Sequence, residues 1–190
     1  LTAGQGSLLA ANEALKNSRT LGTDPKNQTV LERSGAQVTA SSAGGTFFDL
    51  PFAAAENAFD GDDATSWRFG DFQRAAGQSL NVKLDKPARL GDVSVAQADL
   101  GPVKIDRATL IAGGKSVSVR VPDTGRATFR MGGVNAESVR LRIDSTRGDG
   151  YNLVGVSEVG LPGAKAERAA RTPSTLKDLY DSLDAEGRTA

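Results

Sequence analysis

Asp60, Asp62, Asp63 and Thr65 crowd oxygen-bearing side chains into AFDGDDATSWRF, residues 58–69, which also holds the chain's only tryptophan, Trp67. Hard oxygen donors at this density can serve three ends. They can make a solvated turn, pair carboxylates for general acid–base work, or cage a cation. Calcium takes about six to eight oxygens from carboxylates, hydroxyls and backbone carbonyls. The alternate placement of Asp60 and Asp62, followed by the Thr65 hydroxyl, suits the third use, and Gly61 lets the chain curl. An EF-hand is excluded. Counted from Asp60, its sixth position would need glycine and is Thr65, and its twelfth would need glutamate and is Asp71. Far downstream, Glu158 places a carboxylate in the otherwise apolar stretch VGVSEVGL.

Composition narrows the chemistry. The chain has 190 residues, with 23 Lys plus Arg against 23 Asp plus Glu, so its formal net charge is zero. That is not the basic footprint of a nucleic-acid binder, and nucleic acid is excluded as a partner. Histidine is absent, which removes the Ser-His-Asp triad, the Cys-His dyad, histidine zinc sites and histidine acid–base catalysis. Cysteine is absent too, so neither a disulfide framework nor a thiolate site exists. No apolar run reaches the roughly 18 residues of a spanning helix, so a membrane would be met only through a parent chain. A first residue of Leu1 rather than methionine suggests a processed form or a piece of something larger.

The elements that must position these residues are mostly strands. Residues 7–19, SLLAANEALKNSR, read as a short helix with Ser7 as N-cap, ended by the turn-rich GTDPKN. From residue 36 the apolar period becomes two: AQVTASS (36–42), QSLNVKL (78–84), LGDVSVAQA (90–98), RATLIAGGKSVSVRV (107–121) as a hairpin about Gly113-Gly114, RATFRM (126–131), SVRLRID (138–144) and LVGVSEVGL (153–161). Seven or eight short strands with turns between them predict an all-β chain, an antiparallel β-sandwich or jelly roll. After Pro162-Gly163 the pattern turns helical, with Leu176, Leu179, Tyr180 and Leu183 on one stripe and Pro173 in the first turn. The organisation expected is a helical or linker segment over 1–35, a sandwich over 36–161, and a linker and helix over 162–190.

The segment AENAFDGDDATSW, the strand QSLNVKLDKP after it and the closing VGVSEVGL resemble the discoidin (F5/8 type C) family, close to family 32 carbohydrate-binding modules in the galactose-binding-like superfold. The A-x-D-G-D-x-x-T-x-W core carries most of that resemblance. It implies a structural Ca2+ held by the side chains of Asp60 and Asp62, the Thr65 hydroxyl, the Glu158 carboxylate, and the backbone carbonyls of Asn57 and Ser157. It also implies a structural tryptophan at Trp67 and a solvated Asp63. Sugar-binding members use loops at one end of the sandwich, where an aromatic face stacks on the sugar and polar groups bond its hydroxyls. The equivalent loop here, RFGDFQRAAG, offers Arg68, Phe69, Asp71, Phe72 and Arg74. A second loop, STRGDGYN, offers Arg147, Asp149 and Tyr151. The first-loop histidine common among sugar binders is missing, a departure from galactose-type recognition.

In some family members apolar loop tips enter membranes. Phe47, Phe48 and Phe52 stand in such a loop but lack a basic flank, so packing within the loop is expected. The flanks, TPSTLKDLYDSLDAEGRTA above all, resemble actinobacterial cell-wall arabinofuranosyltransferases, membrane enzymes with extracytoplasmic sandwich modules. These resemblances imply a non-catalytic carbohydrate-binding module of a larger extracytoplasmic cell-envelope protein, with arabinan or galactan of the arabinogalactan as its partner. The alternatives are a structural spacer or protein-interaction domain, and a glycosidase using Asp60, Asp62 and Glu158 as its carboxylates. Oligomeric state is not legible. GQGSLL, Ser174-x-x-Lys177, Arg147-Gly148-Asp149 and Asn27-Gln28-Thr29 lack the contexts that would give them meaning.

Overall fold

The computed structural model describes residues 30–44, 51–70, 73–171 and 173–182. The helix expected over 7–19, Phe47 and Phe48, and Asp71 and Phe72 lie outside the described residues. The described strands are β1 (Val30–Gly35), β2 (Gln37–Ala40), β3 (Trp67–Gly70), β4 (Ser79–Gln97), β5 (Lys104–Ala112), β6 (Lys115–Arg120), β7 (Arg126–Arg147), β8 (Leu153–Gly160) and β9 (Ala166–Arg171), followed by helix α1 (Thr175–Ser182). The chain forms two compact units. One is Ser34–Glu167; the other is drawn from the segments before and after it. β1 and β9 pair as a two-stranded sheet. Neither strand is foreshadowed by an apolar alternation, and β9 is extended where the sequence pattern suggested a return to helix.

The larger unit is an antiparallel β-sandwich. Alternation along QSLNVKL buries Leu80, Val82 and Leu84 and leaves Asn81 and Lys83 facing outward. Where two strands each were expected, β4 and β7 are single long strands that run antiparallel to one another through both layers. In the first layer β2 pairs β4 over Leu80–Lys83, β4 pairs β7 over Arg140–Arg142, and β7 passes to β5 and β6. In the second layer β3 pairs β8, β8 pairs the end of β4, and β4 pairs β7 over Arg126–Arg130. The crossing falls at two register shifts, between Lys83 and Ala88 and between Leu90 and Asp92. Bulges bend a strand without ending it. Pro87 and Gly132-Gly133 therefore mark bends in these strands, not turns between them.

The inner faces of both layers share one core that includes Leu80, Val93, Val95, Leu110, Phe129 and Ile143. Each such side chain contributes roughly 1.5–3 kcal/mol of burial. The hairpin between β5 and β6 turns at Gly113 and Gly114, both at positive φ (53° and 78°), the backbone of a two-residue hairpin loop whose twist suits the strands. Later in the chain, α1 is preceded by Ser174, whose hydroxyl donates to Asp178 at 3.2 Å and whose carbonyl accepts the Asp178 N–H.

Candidate functional site

β3 is four residues long and carries the site at both ends. Its inward positions alternate, so Trp67 and Phe69 share one face. Their rings stack with centroids 4.0 Å apart, and both side chains are 0% exposed. The Trp67 Nε1–H donates to the Ser42 carbonyl at 2.7 Å, satisfying the indole as it enters the core. Trp67 is thus structural. Phe69 is too, against the expectation that it would stack on a sugar: its ring is sealed in the core by the same alternation that buries Trp67.

Ahead of β3, the acidic segment closes on itself. The Asp60 carboxylate takes the Asp62 N–H at 2.9 Å through Oδ1 and the Thr65 hydroxyl at 2.8 Å through Oδ2. Asp62 turns its own Oδ1 to the Ala64 N–H at 2.9 Å. The Thr65 Oγ1 also lies 3.1 Å from the Asn57 carbonyl and 3.0 Å from the Asp62 carbonyl. One hydroxyl has one proton, so three acceptor oxygens crowd a single donor. Asn57 is buried, and its amide donates to the Phe52 carbonyl at 3.0 Å, which fixes the short 3-10 turn Ala55–Ala58 that delivers its backbone oxygen. Asp63 stands apart and ion-pairs with Arg126 at 3.0 Å on the surface.

Glu158 reaches this loop from β8 and accepts the Gly61 N–H at 3.2 Å. Its aim depends on a local irregularity. Val156 pairs with Gln97 and Glu158 with Ala96, so Ser157 is an extra residue in the ladder. Val156 and Val159, three apart, are both buried. Strict alternation would put one of them outside and drive Glu158 into the core; the Ser157 bulge lets both valines face inward with Glu158 outward. Burial raises the Glu158 carboxyl above its ordinary value, and the charges of Asp60 and Asp63 push the same way against the Gly61 N–H and Arg126. A cation would reverse that pressure.

Among the described residues no group of three carboxylates closes on a common point. An ion here would rely on the Asn57 carbonyl and Thr65 hydroxyl beside Asp60, with Glu158 across the gap. Asp62 contributes its backbone oxygen to the cluster while its carboxylate caps Ala64. The oxygen-only donor set is that of a hard cation.

Beyond β3, the chain turns at Gly70, where a Cβ would collide with the Asn152 carbonyl and φ is 98°. The close approach brings residues 73–77 against the 148–152 loop, and the Asn152 amide donates to the Gln73 carbonyl at 2.7 Å. Arg74 is exposed at this end, as is Tyr151 (58%). Gln78 ties in the segment after β2 by accepting from Ser41 and, at 2.9 Å, from Ser42. Asn152, Gln78, Ser42 and Phe52 carry no motif, and the sequence did not single them out as ligand contacts.

Arg147 behaves differently from its expected role. Its guanidinium donates to the carbonyls of Ile105 and Val121 (3.1 Å for the latter) and to the carboxylates of Asp106 and Asp123. It ties β5 to the turn after β6 and has little left for a ligand. Arg68, on the outward face of β3, donates its Nε–H to Ser66 Oγ at 3.0 Å and lies over the Phe52 ring at 5.4 Å.

No protein-family model matches the chain. An exo-β-1,3-glucanase of Streptomyces sp. (strain SirexAA-E / ActE) is 30% identical over 118 residues, 60% of this chain but only 18% of that protein. Arabinofuranosyltransferase AftD from Mycobacteria is similar in structure at a TM-score of 0.62 and 20% identity, over 75% of this chain and 12% of its own. The family 32 module of Clostridium perfringens NanJ, solved with galactose, is similar at 0.50 and 18% identity, over 72% of this chain and 100% of its own. A second C. perfringens family 32 module, solved with GalNAc-β-1,3-galactose, gives 0.53 and 17% identity over 66% of this chain and 94% of its own. The chain thus spans a small fraction of the glucanase and of the transferase, and nearly all of each isolated module. At these identities the likeness to the solved structures is one of fold, the antiparallel β-sandwich that these modules share.

Proposed function

We propose that this chain is a non-catalytic carbohydrate-binding module of a larger extracytoplasmic cell-envelope protein, and that it holds polysaccharide such as arabinan or galactan for a glycosyl-transferring or glycoside-cleaving partner domain. The observation that carries the reading is the end of the sandwich built around Gly70. There two loops are locked together through Asn152 and Gln73 while Arg74 and Tyr151 stay at the surface, and two residues before Gly70 the outward Arg68 lies over the exposed Phe52 ring. Fixed backbone with outward aromatic and guanidinium groups is what sugar hydroxyls and ring faces require. The NanJ module, with the same fold, was solved with galactose. Among the described residues no helix is long and apolar enough to cross a membrane, so attachment would come through the parent chain.

In this reading Ca2+ sits among the Asn57 carbonyl, Asp60, the Asp62 backbone, Thr65 and Glu158, with Ser157 setting the register that aims Glu158. The ion joins the loop before β3 to β8 and stabilises the fold by binding only the native state. The same geometry speaks against a glycosidase: Asp60 and Asp62 spend their carboxylates on the Asp62 and Ala64 amides. A glycan array carrying arabinan, galactan and galactose-terminated oligosaccharides, followed by titration calorimetry, tests the binding. Retention of arabinan or galactan fragments is expected. A chain that retains no glycan is the structural spacer of the second reading, which the full occupation of Arg147 and the burial of Phe69 favour.

A further inference from the structure

We infer that the binding end selects acidic saccharides, sugars that carry a carboxylate or phosphate, through a subsite formed by Arg68 and Phe52; this rests on the carbohydrate-binding reading above. A half-buried guanidinium usually finds a carboxylate, as Arg147 does with Asp106 and Asp123. Arg68 is half-buried and has no carboxylate partner among the described residues. Its orientation is fixed all the same. The Nε–H is held by Ser66 Oγ, itself on a residue only 2% exposed, and the plane lies over Phe52, which is 57% exposed. The Nη groups therefore form an unused, pre-set fork, the geometry that binds carboxylate or phosphate through two hydrogen bonds.

The ground beside the fork suits a sugar ring. Arg68 pairs in register with Gly155. A Cβ on Gly155 would come within 2.9 Å of the Leu100 Cδ1 methyl, so Leu100 occupies the space that a side chain at 155 would fill. Phe52 lies against the cation itself, and Leu100 fills the place beside Gly155, its cross-strand neighbour. A neutral hexose would engage the ring faces but leave the charge of Arg68 uncompensated. An acidic one would satisfy both.

Titration calorimetry of the whole chain with galactose, galacturonate and galactose 6-phosphate tests this. Both acidic sugars are expected to bind at least about tenfold tighter than galactose, the difference a charge-assisted fork supplies. The two acids, measured separately, show whether carboxylate or phosphate is preferred. Arg68→Gln should bring the three affinities to near equality with an unchanged melting temperature, and Phe52→Ala should weaken all three alike. Equal binding of galactose and the acids by the native chain overturns the inference while leaving carbohydrate binding intact, as does a preference that survives in Arg68→Gln. If these three sugars and the arabinan and galactan fragments all fail to bind, the carbohydrate reading falls and takes this inference with it.

Discussion

The two ends of β3 treat their polar side chains in opposite ways. Before Trp67, the loop engages its oxygens with its own Thr65 hydroxyl and backbone amides, while Asp63 turns to Arg126. After Gly70, the backbone does the holding, and side chains such as Arg74 and Tyr151 stay outside. In the proposed reading the first end would retain a small cation and the second would meet a saccharide. The segment densest in chemistry along the sequence is thus the one whose side chains are most engaged with their own loop.

The strongest way to break the contrast is to remove what both ends share. Trp67→Ala empties a fully buried site and takes away the tie to Ser42, and should cost about 3–5 kcal/mol, read from urea denaturation. Both ends should fail together; a small loss would mean that they are supported independently. Calcium separates them. With free Ca2+ at a hundredfold excess over its Kd, stabilisation of about 2.7 kcal/mol is expected, and a chelator should abolish it. Thr65→Val or Glu158→Gln should remove that increment and leave sugar affinity nearly intact. No response of the melting temperature to calcium or chelator would assign the oxygen cluster to turn-making alone.

Smaller effects distinguish the two arginines. Arg147→Gln should lose about 1–2 kcal/mol of stability, because it strands carboxylates and carbonyls that the guanidinium serves. Arg68→Gln should stay within about 0.5 kcal/mol of the native chain, as expected where no charged partner is left behind. Equal losses would erase the distinction between tie and subsite. Asp144, on β7, supplies a reference whose side chain belongs to neither arrangement. Burial raises its carboxyl, but hydrogen bonds from Thr109, Arg142 and Ser118 and the charge of Arg142 outweigh this and hold it below the ordinary 3.8. A carboxyl lowered in the folded state stabilises above its unfolded value and loses that contribution as pH falls through the folded one. Denaturation midpoints should therefore fall as pH drops from 3.8 through the lower folded value, and Asp144→Asn should flatten that limb.

The strands with clean alternation were legible: Leu80, Val82 and Leu84 behave as the pattern requires, and Gly113-Gly114 turns where a glycine pair should. Continuity was not, because Pro87 and Gly132-Gly133 look the same in sequence whether they end a strand or bend it. β3 was missed because WRFG is too short to establish a period, although the spacing of Trp67 and Phe69 was enough to place both rings on one face. The crowding of Asp60, Asp62 and Thr65 was visible because it is local, and Glu158 stood out as a carboxylate among valines, whereas Asn57 and Ser157 were named only through the family resemblance. The fates of Arg68 and Arg147 were not: whether a guanidinium is occupied depends on carboxylates such as Asp106 and Asp123, distant in sequence, and no spacing encodes their approach.

β8 also bears on how the chain tolerates changes in length. Because Ser157 is supernumerary in its ladder, deleting it would leave Val156, Glu158 and Val159 in regular alternation, with the valines still inward. Removing Val156 or Val159 instead would put a polar residue into the core. The strand thus contains one place where a gap in the reading of the gene is structurally cheap. A shortened variant would keep its hydrophobic interior and change chiefly the reach of a single carboxylate toward Gly61.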